Sequence, residues 1–284
     1  MNPRKLALAR LLDATGLNSA LLAVQSRMGR YIRALNYHDV PHDSAPAFEA
    51  QLAFYARHFE PVGLPQLLAF LSGDWKPQRP GLLLSFDDGL RTHAQVAAPL
   101  LERYGFPGWF AVPAAFPDAV VRNHAEFMRS RHVGYRPDDF ADGRPLMDWE
   151  DLRRLDARHV ICCHSMNHRR LAAGLSDAER RNEIAEAKQR LEAGLGHEVP
   201  VFVWVGGEDW SYSAQAARAI RDAGFRVSLM TLNARIRPGD DPLRIQRTNV
   251  EADYPASLMR MSLSGIFDLL YLLRRRRINR LVAA

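Results

Sequence analysis

The sequence predicts an α/β fold in which parallel strands form a sheet or a barrel. Short apolar runs, such as residues 81–86 and 108–112, alternate with longer segments that have helical periodicity. A short apolar run with polar residues on both sides is typical of a strand that is buried on both faces. Strands that alternate with helices at this spacing indicate βαβ units. A hydrophobic content of 47% in 284 residues is sufficient for the buried core of such a fold.

The predicted elements follow one another from the N-terminus to residue 250. They are a helical arm over 5–30 that is broken near Gly16, strands over 31–37, 81–86, 108–112, 159–163, 199–204, 226–231 and 243–250, and helices over 47–58, 93–104, 149–157, 177–195 and 214–223. The helix over 177–195 begins with a capping box, because Ser176 is followed three residues later by Glu179. The polar, irregular stretch 117–146 predicts a long loop or an insertion.

The net charge of +6 is concentrated at the two ends of the chain. Residues 1–33 and 260–284 each carry +5, so the body between them carries −4. A mildly acidic body argues against nucleic-acid binding, whereas basic ends favour contact with an anionic surface. We therefore expect no nucleic-acid partner, and an anionic membrane surface is a candidate partner of the two ends.

The two ends do not have the pattern of a targeting or membrane-spanning segment. Arg10 and Asp13 interrupt the apolar region that a signal peptide needs. The apolar stretch 265–273 is too short for a transmembrane helix and contains Asp268. We expect a cytoplasmic protein, which lies at the inner membrane surface if its basic ends bind lipid.

The last segment, 258–281, is largely apolar up to Leu273 and then carries four consecutive arginines over 274–277. A basic amphipathic helix of this kind can lie on an anionic membrane. Its apolar part can equally pack on the body of the protein and leave the arginines in solvent. The sequence leaves both alternatives open.

Two adjacent carboxylates, Asp87 and Asp88, stand at the end of the strand over 81–86 and are followed by Gly89. Like charges that lie close together raise each other's pKa, and a divalent cation beside one of them removes that penalty. One carboxylate could then bind a metal while its neighbour acts as a base. Alone, an Asp-Asp-Gly sequence is more often a solvated turn with an aspartate cap.

Two histidines, His164 and His168, directly follow the strand over 159–163. Histidines four residues apart fall on one side of a helical turn and can share one metal ion. With one strand-end carboxylate, two imidazoles complete a three-ligand site that leaves a position open for water. Parallel α/β folds place their active sites at such strand ends.

In this order, these residues resemble the polysaccharide deacetylase family, also called the NodB-homology or carbohydrate esterase 4 group. The resemblance covers roughly residues 34–250 and includes the first motif at 84–89 with its continuation at 104–110, the second motif at 147–152 and 164–168, and the third region at 183–196, 202–204 and 222–225. It implies a deformed (β/α) barrel of the NodB-homology type with parallel strands. The predicted catalytic domain spans 34–257, between a basic helical arm over 1–33 and a basic tail over 258–284.

The position of His38 resembles one branch of this family. His38 directly follows the apolar run that ends at Tyr37, and alone it would be an ordinary hydrogen-bonded residue. In the circularly permuted poly-N-acetylglucosamine deacetylase-like branch, a Tyr-His pair near the start supplies the histidine that other members carry near their end. The absence of a His motif after residue 197 agrees with that arrangement.

The resemblance implies the roles of the site residues. A divalent metal, with zinc as the first choice and cobalt, nickel or iron as alternatives, would be bound by Asp88, His164 and His168. Asp87 would be the general base and His38 the general acid. A backbone N–H near Gly206 would stabilise the oxyanion.

The third motif departs from the family pattern. The family has Arg-x-Pro-Tyr or, in the permuted branch, a sequence such as Tyr-Pro-Tyr-Gly, whereas residues 203–208 read Val-Trp-Val-Gly-Gly-Glu. We expect Trp204 to keep the aromatic lining of the substrate site. The arginine that orients the base in the family is missing, and Arg244 or Arg247 could replace it from the strand over 243–250.

The resemblance implies a metal-dependent hydrolase that removes an N-acetyl group from an amino sugar in a polysaccharide or a lipid-linked saccharide. Two alternatives stay open. The same site could hydrolyse an O-acetyl ester or an N-formyl group, or the chain could be a non-catalytic member of the family that binds glycan or acts as a scaffold. The altered third motif argues mildly for the non-catalytic alternative, and the complete set of metal and base residues argues against it.

Overall fold

The computed structural model describes residues 3–27, 30–119 and 124–283. Within these residues, seven parallel strands close into a barrel, and two short strands are added at its edges. The strands are β1 (Ile32–Tyr37), β2 (Glu60–Pro61), β3 (Gly81–Phe86), β4 (Gly108–Val112), β5 (Val160–Cys163), β6 (Val201–Val203), β7 (Val227–Met230), β8 (Arg235–Ile236) and β9 (Ile245–Asn249). The barrel closes because β1 pairs in parallel with both β3 and β9. The short strand β2 pairs with β3, and β8 runs antiparallel to β1. The predicted (β/α) barrel with parallel strands is confirmed.

Side chains on the barrel strands alternate between an inner and an outer layer, as they must in extended chains. The inner cluster is built mainly from small and β-branched residues, for example Ala34, Ala111, Val201 and Val203. Phe202, on a neighbouring position, faces outward and packs under the helices, whereas Trp109 belongs to the inner cluster. This alternation decides which later residues of each strand can reach the interior of the barrel.

Helices pack around the barrel. They are α3 (Ala45–His58), α4 (Leu64–Ser72), α5 (Ala98–Arg103), α6 (His124–Ser130), α7 (Trp149–Asp156), α8 (Asp177–Arg181), α9 (Ala187–Leu195) and α10 (Ala214–Asp222). A π-helical turn at residues 182–186 joins α8 and α9, so the predicted helix over 177–195 is confirmed, and so is the capping box of Ser176 and Glu179.

Two features differ from the sequence prediction. Helix α4 was not predicted, and its residues Leu67 and Phe70 pack into the inner cluster of the barrel. The predicted loop over 117–146 contains α6 and a 3₁₀ turn at Pro137–Asp139, and its residues 120–123 lie outside the described part of the chain. The scattered Pro and Gly residues of this segment hid its short helix, because they read as loop signals.

In the described residues, the two ends of the chain contain five helices. They are α1 (Pro3–Ala14), α2 (Leu17–Arg27), α11 (Ala256–Leu263), α12 (Ile266–Leu270) and α13 (Leu272–Val282). The predicted break near Gly16 is confirmed, since this residue has a φ of +72° between α1 and α2. The division of the chain into an arm over 1–33, a catalytic domain over 34–257 and a tail over 258–284 stays a prediction.

The terminal helices are docked by specific contacts. Asn18 of α2 donates to the carbonyl of Ser257 at 3.3 Å, and Arg260 of α11 pairs with Asp13 of α1. Ile278 and Val282 of α13 pack beside residues of α10, in the outer layer of side chains between the barrel and its helices. In the described part of the chain no single helix is long and apolar enough to cross a membrane, and α1 with α2 passes that test only as a pair bent by 77°.

Candidate active site

Asp88, His164 and His168 form a compact cluster at the carboxyl ends of β3 and β5. One ligand atom of each residue lies within 4.8 Å of the others. The Nε2 atoms of His164 and His168 lie 3.6 and 3.0 Å from Oδ1 of Asp88. Asp88 and His164 are buried, and His168 is nearly so. The three residues that were predicted to bind a metal are therefore brought together.

Hydrogen bonds define which nitrogen of each imidazole is available to a ligand. Nδ1 of His164 lies 2.9 Å from the carbonyl oxygen of Val203, and Nδ1 of His168 lies 2.6 Å from that of Arg131. A carbonyl oxygen only accepts, so each Nδ1 must carry the proton and donate. In the neutral form of each imidazole, Nε2 then carries the lone pair, and it lies on the side of Asp88. Backbone carbonyls commonly orient metal-binding histidines in this way.

When both imidazoles are neutral, three electron-rich atoms face one another in a buried place, and a bound cation would offset their repulsion. Burial alone would raise the pKa of Asp88, but its contacts with the two histidines hold that pKa well below its usual range. Burial alone would lower the pKa of His168, but its bond to Asp88 raises it. The donor set of one carboxylate and two imidazoles fits a divalent transition metal and leaves open coordination positions.

The segment from His164 to His168 is a turn, so the prediction of a helical turn is wrong. Ser165 and His168 adopt left-handed φ angles of 63° and 57°, and Asp88 has a φ of 81°. Such angles are strained for residues with a Cβ atom and persist where surrounding contacts impose them. The left-handed φ angles of Ser165 and His168 bend the turn sharply. In this turn both imidazoles face Asp88.

Glu183, at the junction of α8 and α9, holds this turn in place. Its side chain is buried and accepts from the backbone N–H groups of Met166 at 3.0 Å and Asn167 at 2.9 Å. Its other carboxylate oxygen accepts from the side-chain amide of Asn167 at 2.9 Å. One buried carboxylate therefore satisfies three donors of the turn that carries His164 and His168.

Asp87 points into the barrel and forms an ion pair with Arg247 of β9. Two guanidinium nitrogens donate to the two carboxylate oxygens at 2.7 and 2.9 Å, and the arginine side chain is fully buried. Asn36 and Ser85 accept further hydrogen bonds from the same guanidinium at 2.8 and 3.0 Å. Burial alone would raise the pKa of Asp87, but the charge of Arg247 holds that pKa below its usual range. Asp87 is therefore a carboxylate with a fixed orientation.

A cavity of about 230 Å³ opens above these residues. It is lined by Asn36, His38, Asp87, Asp88, His132, His164, His168, Arg170, Val205, Gly206, Gly207, Glu208, Thr231 and Asn249. His38 and Gly206 thus lie on the same cavity as the cluster of Asp88, His164 and His168 and as Asp87, as the predicted roles require. The backbone of His38 is held by His93, whose Nε2 donates to the His38 carbonyl at 2.6 Å.

Trp204 and Arg244 lie away from this cavity, which corrects two predicted positions. Trp204 is 2% exposed, packs against Tyr212 in the outer core and donates to Ser228 at 2.7 Å. It follows Phe202 by two positions, so it faces the helices and does not line the substrate site. Arg244 precedes β9, at the opposite end of the barrel, and pairs with Asp241 at 2.8 Å.

Several lining residues were not predicted. Asn36 is two positions beyond Ala34 and shares its inward direction, so the alternation of β1 could have identified it. His132 comes from the loop over 117–146, where no periodic signal exists. Arg170 and Glu208 both line the cavity, and the guanidinium donates to the carboxylate at 3.1 and 3.2 Å. The pKa of Glu208 is lowered to about 2, and the hydrogen bond from Arg170 is the largest cause.

The family model described as polysaccharide deacetylase matches residues 75–228, which is more than half of the chain. No curated protein matches the chain. The matched segment contains Asp87, Asp88, both histidines and the altered third motif. His38 and Arg247 lie outside it, on β1 and β9.

Solved structures with the same fold include three bacterial proteins. The Streptococcus pyogenes deacetylase PplD, in complex with acetate, has a TM-score of 0.65 at 14% identity, with 83% of this chain and 98% of that one covered. IcaB from Ammonifex degensii has a TM-score of 0.65 at 21% identity, with 84% and 97% covered. The deacetylase domain of BpsB from Bordetella bronchiseptica has a TM-score of 0.61 at 20% identity, with 78% and 96% covered. At these identities the similarity establishes the fold.

Proposed function

The chain belongs to the polysaccharide deacetylase family, a family of carbohydrate deacetylases, and from this premise we propose a specific activity. It is a metal-dependent hydrolase that removes an N-acetyl group from an amino sugar in a polysaccharide or a lipid-linked saccharide. The observation that carries the proposal is the placement of Asp88, His164 and His168 beside an arginine-paired Asp87 in one cavity.

Asp88, His164 and His168 would hold the metal through one carboxylate oxygen and the two Nε2 atoms. A divalent metal bound there supplies a Lewis acid for the acetyl carbonyl and lowers the pKa of a water in its open position. Zinc suits this donor set, and cobalt, nickel or iron can replace it.

The chain's own groups would move the protons. Asp87 is ionised and oriented by Arg247, so it can accept a proton from the attacking water as a general base. His38 lines the same cavity and would donate a proton to the leaving nitrogen, because an amine anion is a very poor leaving group. A backbone N–H at Gly206 would stabilise the negative charge that develops on the carbonyl oxygen.

Release of acetate from N-acetylhexosamine oligomers tests this activity. We expect acetate from the metal-loaded wild type, none after chelation, recovery when zinc is returned, and a severe loss in Asp87→Asn. Parallel measurements with O-acetylated and N-formylated saccharides distinguish the ester and formyl alternatives. A purified chain that retains no divalent metal and releases neither acetate nor formate would support the non-catalytic alternative.

We also propose that the terminal helices contact an anionic membrane at the cytoplasmic face of the inner membrane. Leu269, Leu270 and Leu273 are 73–78% exposed on α12 and α13. Of the following arginines, Arg274 and Arg275 bond to backbone carbonyls of the protein and Arg277 pairs with Asp209. Arg276 and Arg280 are exposed. Exposed leucines beside exposed arginines are suited to an anionic lipid surface.

Co-sedimentation with vesicles tests the membrane proposal. The intact chain should bind vesicles that contain anionic lipid at low salt, and replacement of the three leucines by serine should weaken binding. Neutral vesicles serve as the control for charge. Absence of binding by the intact chain at low salt would contradict the proposal.

A further inference from the structure

A second cavity, of about 320 Å³, adjoins the catalytic cavity. The two share the lining residues Gly207, Glu208, Thr231 and Asn249. The far wall of the second cavity comes from the terminal helices and is formed by Lys5, Phe267, Tyr271 and Arg274. We name this second cavity the terminal-helix cleft. A group attached to a sugar in the catalytic cavity can therefore reach both ends of the chain.

Two cations are held in place at the wall of the terminal-helix cleft. The ammonium of Lys5 lies 4.7 Å from the ring centroid of Phe267 and 5.6 Å from that of Tyr254. The guanidinium of Arg274 lies 5.7 Å from the ring centroid of Tyr271 and donates to the carbonyl of Gly207 at 2.6 Å. Aromatic rings thus position both cations. The cations lie over the faces of these rings, so the ring faces are not free to stack on a sugar.

The ammonium of Lys5 is partly withdrawn from water. Burial lowers the pKa of Lys5, and the negative charge of Glu251 opposes this change. Burial also raises the pKa of Glu251. A partly desolvated cation gains more from a nearby anion than a fully hydrated one does.

Glu208, the acidic residue among the described residues that line the cleft, is already matched by an arginine. Glu208 accepts two hydrogen bonds from Arg170. Asp209 pairs with both Arg274 and Arg277. The charged side chains that line the cleft are thus two cations, Lys5 and Arg274, and the paired carboxylate of Glu208, with Glu251 as a further negative charge near Lys5.

We propose that the terminal-helix cleft binds a phosphate or diphosphate group attached to the saccharide whose acetyl group is removed. The proposal rests on the proposed function only for the sugar in the catalytic cavity, because anion binding can be measured without turnover. It assigns a role in substrate choice to the two ends of the chain. A soluble sugar phosphate and a lipid-linked one both present this group.

Pyrophosphate binding, measured by calorimetry on the full chain, tests the cleft directly. Wild type should bind pyrophosphate, Lys5→Gln should bind about tenfold more weakly, and Lys5→Arg should retain binding because it keeps the charge. Arg274→Gln is the second variant and should weaken binding in the same way. Arg10→Gln and Arg276→Gln remove one charge each from exposed positions on α1 and α13 and should leave binding unchanged. Equal binding by wild type, Lys5→Gln and Arg274→Gln would overturn the proposal.

Kinetics connects the cleft to the substrate. The kcat/KM for N-acetylglucosamine 1-phosphate, relative to that for its neutral methyl glycoside, should fall about tenfold in Lys5→Gln through KM. Farnesyl phosphate as a competitor distinguishes the sources, since it should compete better than inorganic phosphate only if the natural substrate is lipid-linked. A wild type that binds pyrophosphate without hydrolysing either sugar contradicts the proposed function alone. An unchanged ratio in an active Lys5→Gln contradicts the cleft alone.

Discussion

Arg247 donates one hydrogen bond to each carboxylate oxygen of Asp87, at 2.7 and 2.9 Å, across 160 positions of sequence. The pairing depends on the barrel, because β9 and β3 both lie next to β1 and direct these residues inward. A paired carboxylate has both a fixed direction and a favoured charge. Its neighbour Asp88 is left to the two histidines, so adjacent carboxylates acquire different environments.

Replacement of Arg247 by glutamine should move the acid limb of kcat/KM to higher pH. The guanidinium favours the ionised form of Asp87, so its removal raises the pKa of Asp87 and a higher pH is needed to ionise the base. The pH profile of acetate release measures the change. Arg244→Gln is the matched control, since Arg244 pairs with Asp241, and its profile should equal that of wild type. An unshifted limb in an active Arg247→Gln would show that Asp87 is not the titrating base.

Replacement of Glu183 by glutamine should weaken metal binding about 10- to 100-fold, the usual cost of a lost outer partner at a metal site. Glutamine keeps the size of the side chain but replaces one carboxylate oxygen by an NH₂ group. This group cannot accept the hydrogen bonds that Met166 or Asn167 donates to Glu183. Competition with a chromogenic chelator measures the affinity. Glu186→Gln, on the same helical segment but exposed, should bind metal as wild type does. Equal affinity in both variants would mean that Glu183 does not position the turn.

Replacement of Trp204 by alanine should lower the free energy of unfolding by about 3–5 kcal/mol, as expected for a buried aromatic residue. Trp210→Ala is the control, because Trp210 is 59% exposed, and its effect should stay within about 0.5 kcal/mol. Urea unfolding measures both. Trp204→Phe should fold and keep the KM for substrate. A raised KM in a stable Trp204→Phe would instead support a direct contact between Trp204 and the sugar.

Replacement of Gly206 by alanine should lower both stability and activity. Gly206 has a φ of +79°, and an added Cβ would lie 2.5 Å from Oε2 of Glu208 and 2.9 Å from Nε of Arg170. Gly224 has a φ of +78° with no atom within 4 Å of such a Cβ. Gly224→Ala should therefore cost only the left-handed strain of about 1–2 kcal/mol and keep full activity. Thermal unfolding and acetate release measure the two effects, and identical behaviour of the variants would exclude crowding at Gly206.

The strand ends and the residues directly after them could be predicted from the sequence. Apolar runs locate the strands, and in a parallel barrel their carboxyl ends meet at one rim, so Asp88, His164 and His168 had to lie near one another. The family resemblance then assigned a role to each of them and to His38.

Direction within a strand was harder to predict. The choice between Arg244 and Arg247 depends on where β9 begins, and strand ends are uncertain by two or more residues in sequence reasoning. Trp204 was misplaced for a related reason, since aromatic residues of β6 face outward while Val201 and Val203 fill the barrel.

Contacts made by loops and termini could not be predicted. His132 reaches the cavity from a segment without periodicity. Lys5 and Arg274 meet at the second cavity although they lie at opposite ends of the chain. Such contacts depend on how separate elements pack, and local patterns of residues do not encode that packing.

The metal position tests the central claim most directly. Anomalous X-ray diffraction from crystals of the metal-loaded protein, recorded at the absorption edge of the bound metal, locates the ion and its ligand atoms. We expect one peak within about 2.0–2.2 Å of a carboxylate oxygen of Asp88 and of Nε2 of His164 and His168, as is usual for zinc. The peak should vanish in His168→Ala and persist in His197→Ala, where an exposed histidine is removed. A metal bound through Nδ1, or no peak at these three residues in the metal-loaded protein, would contradict the account.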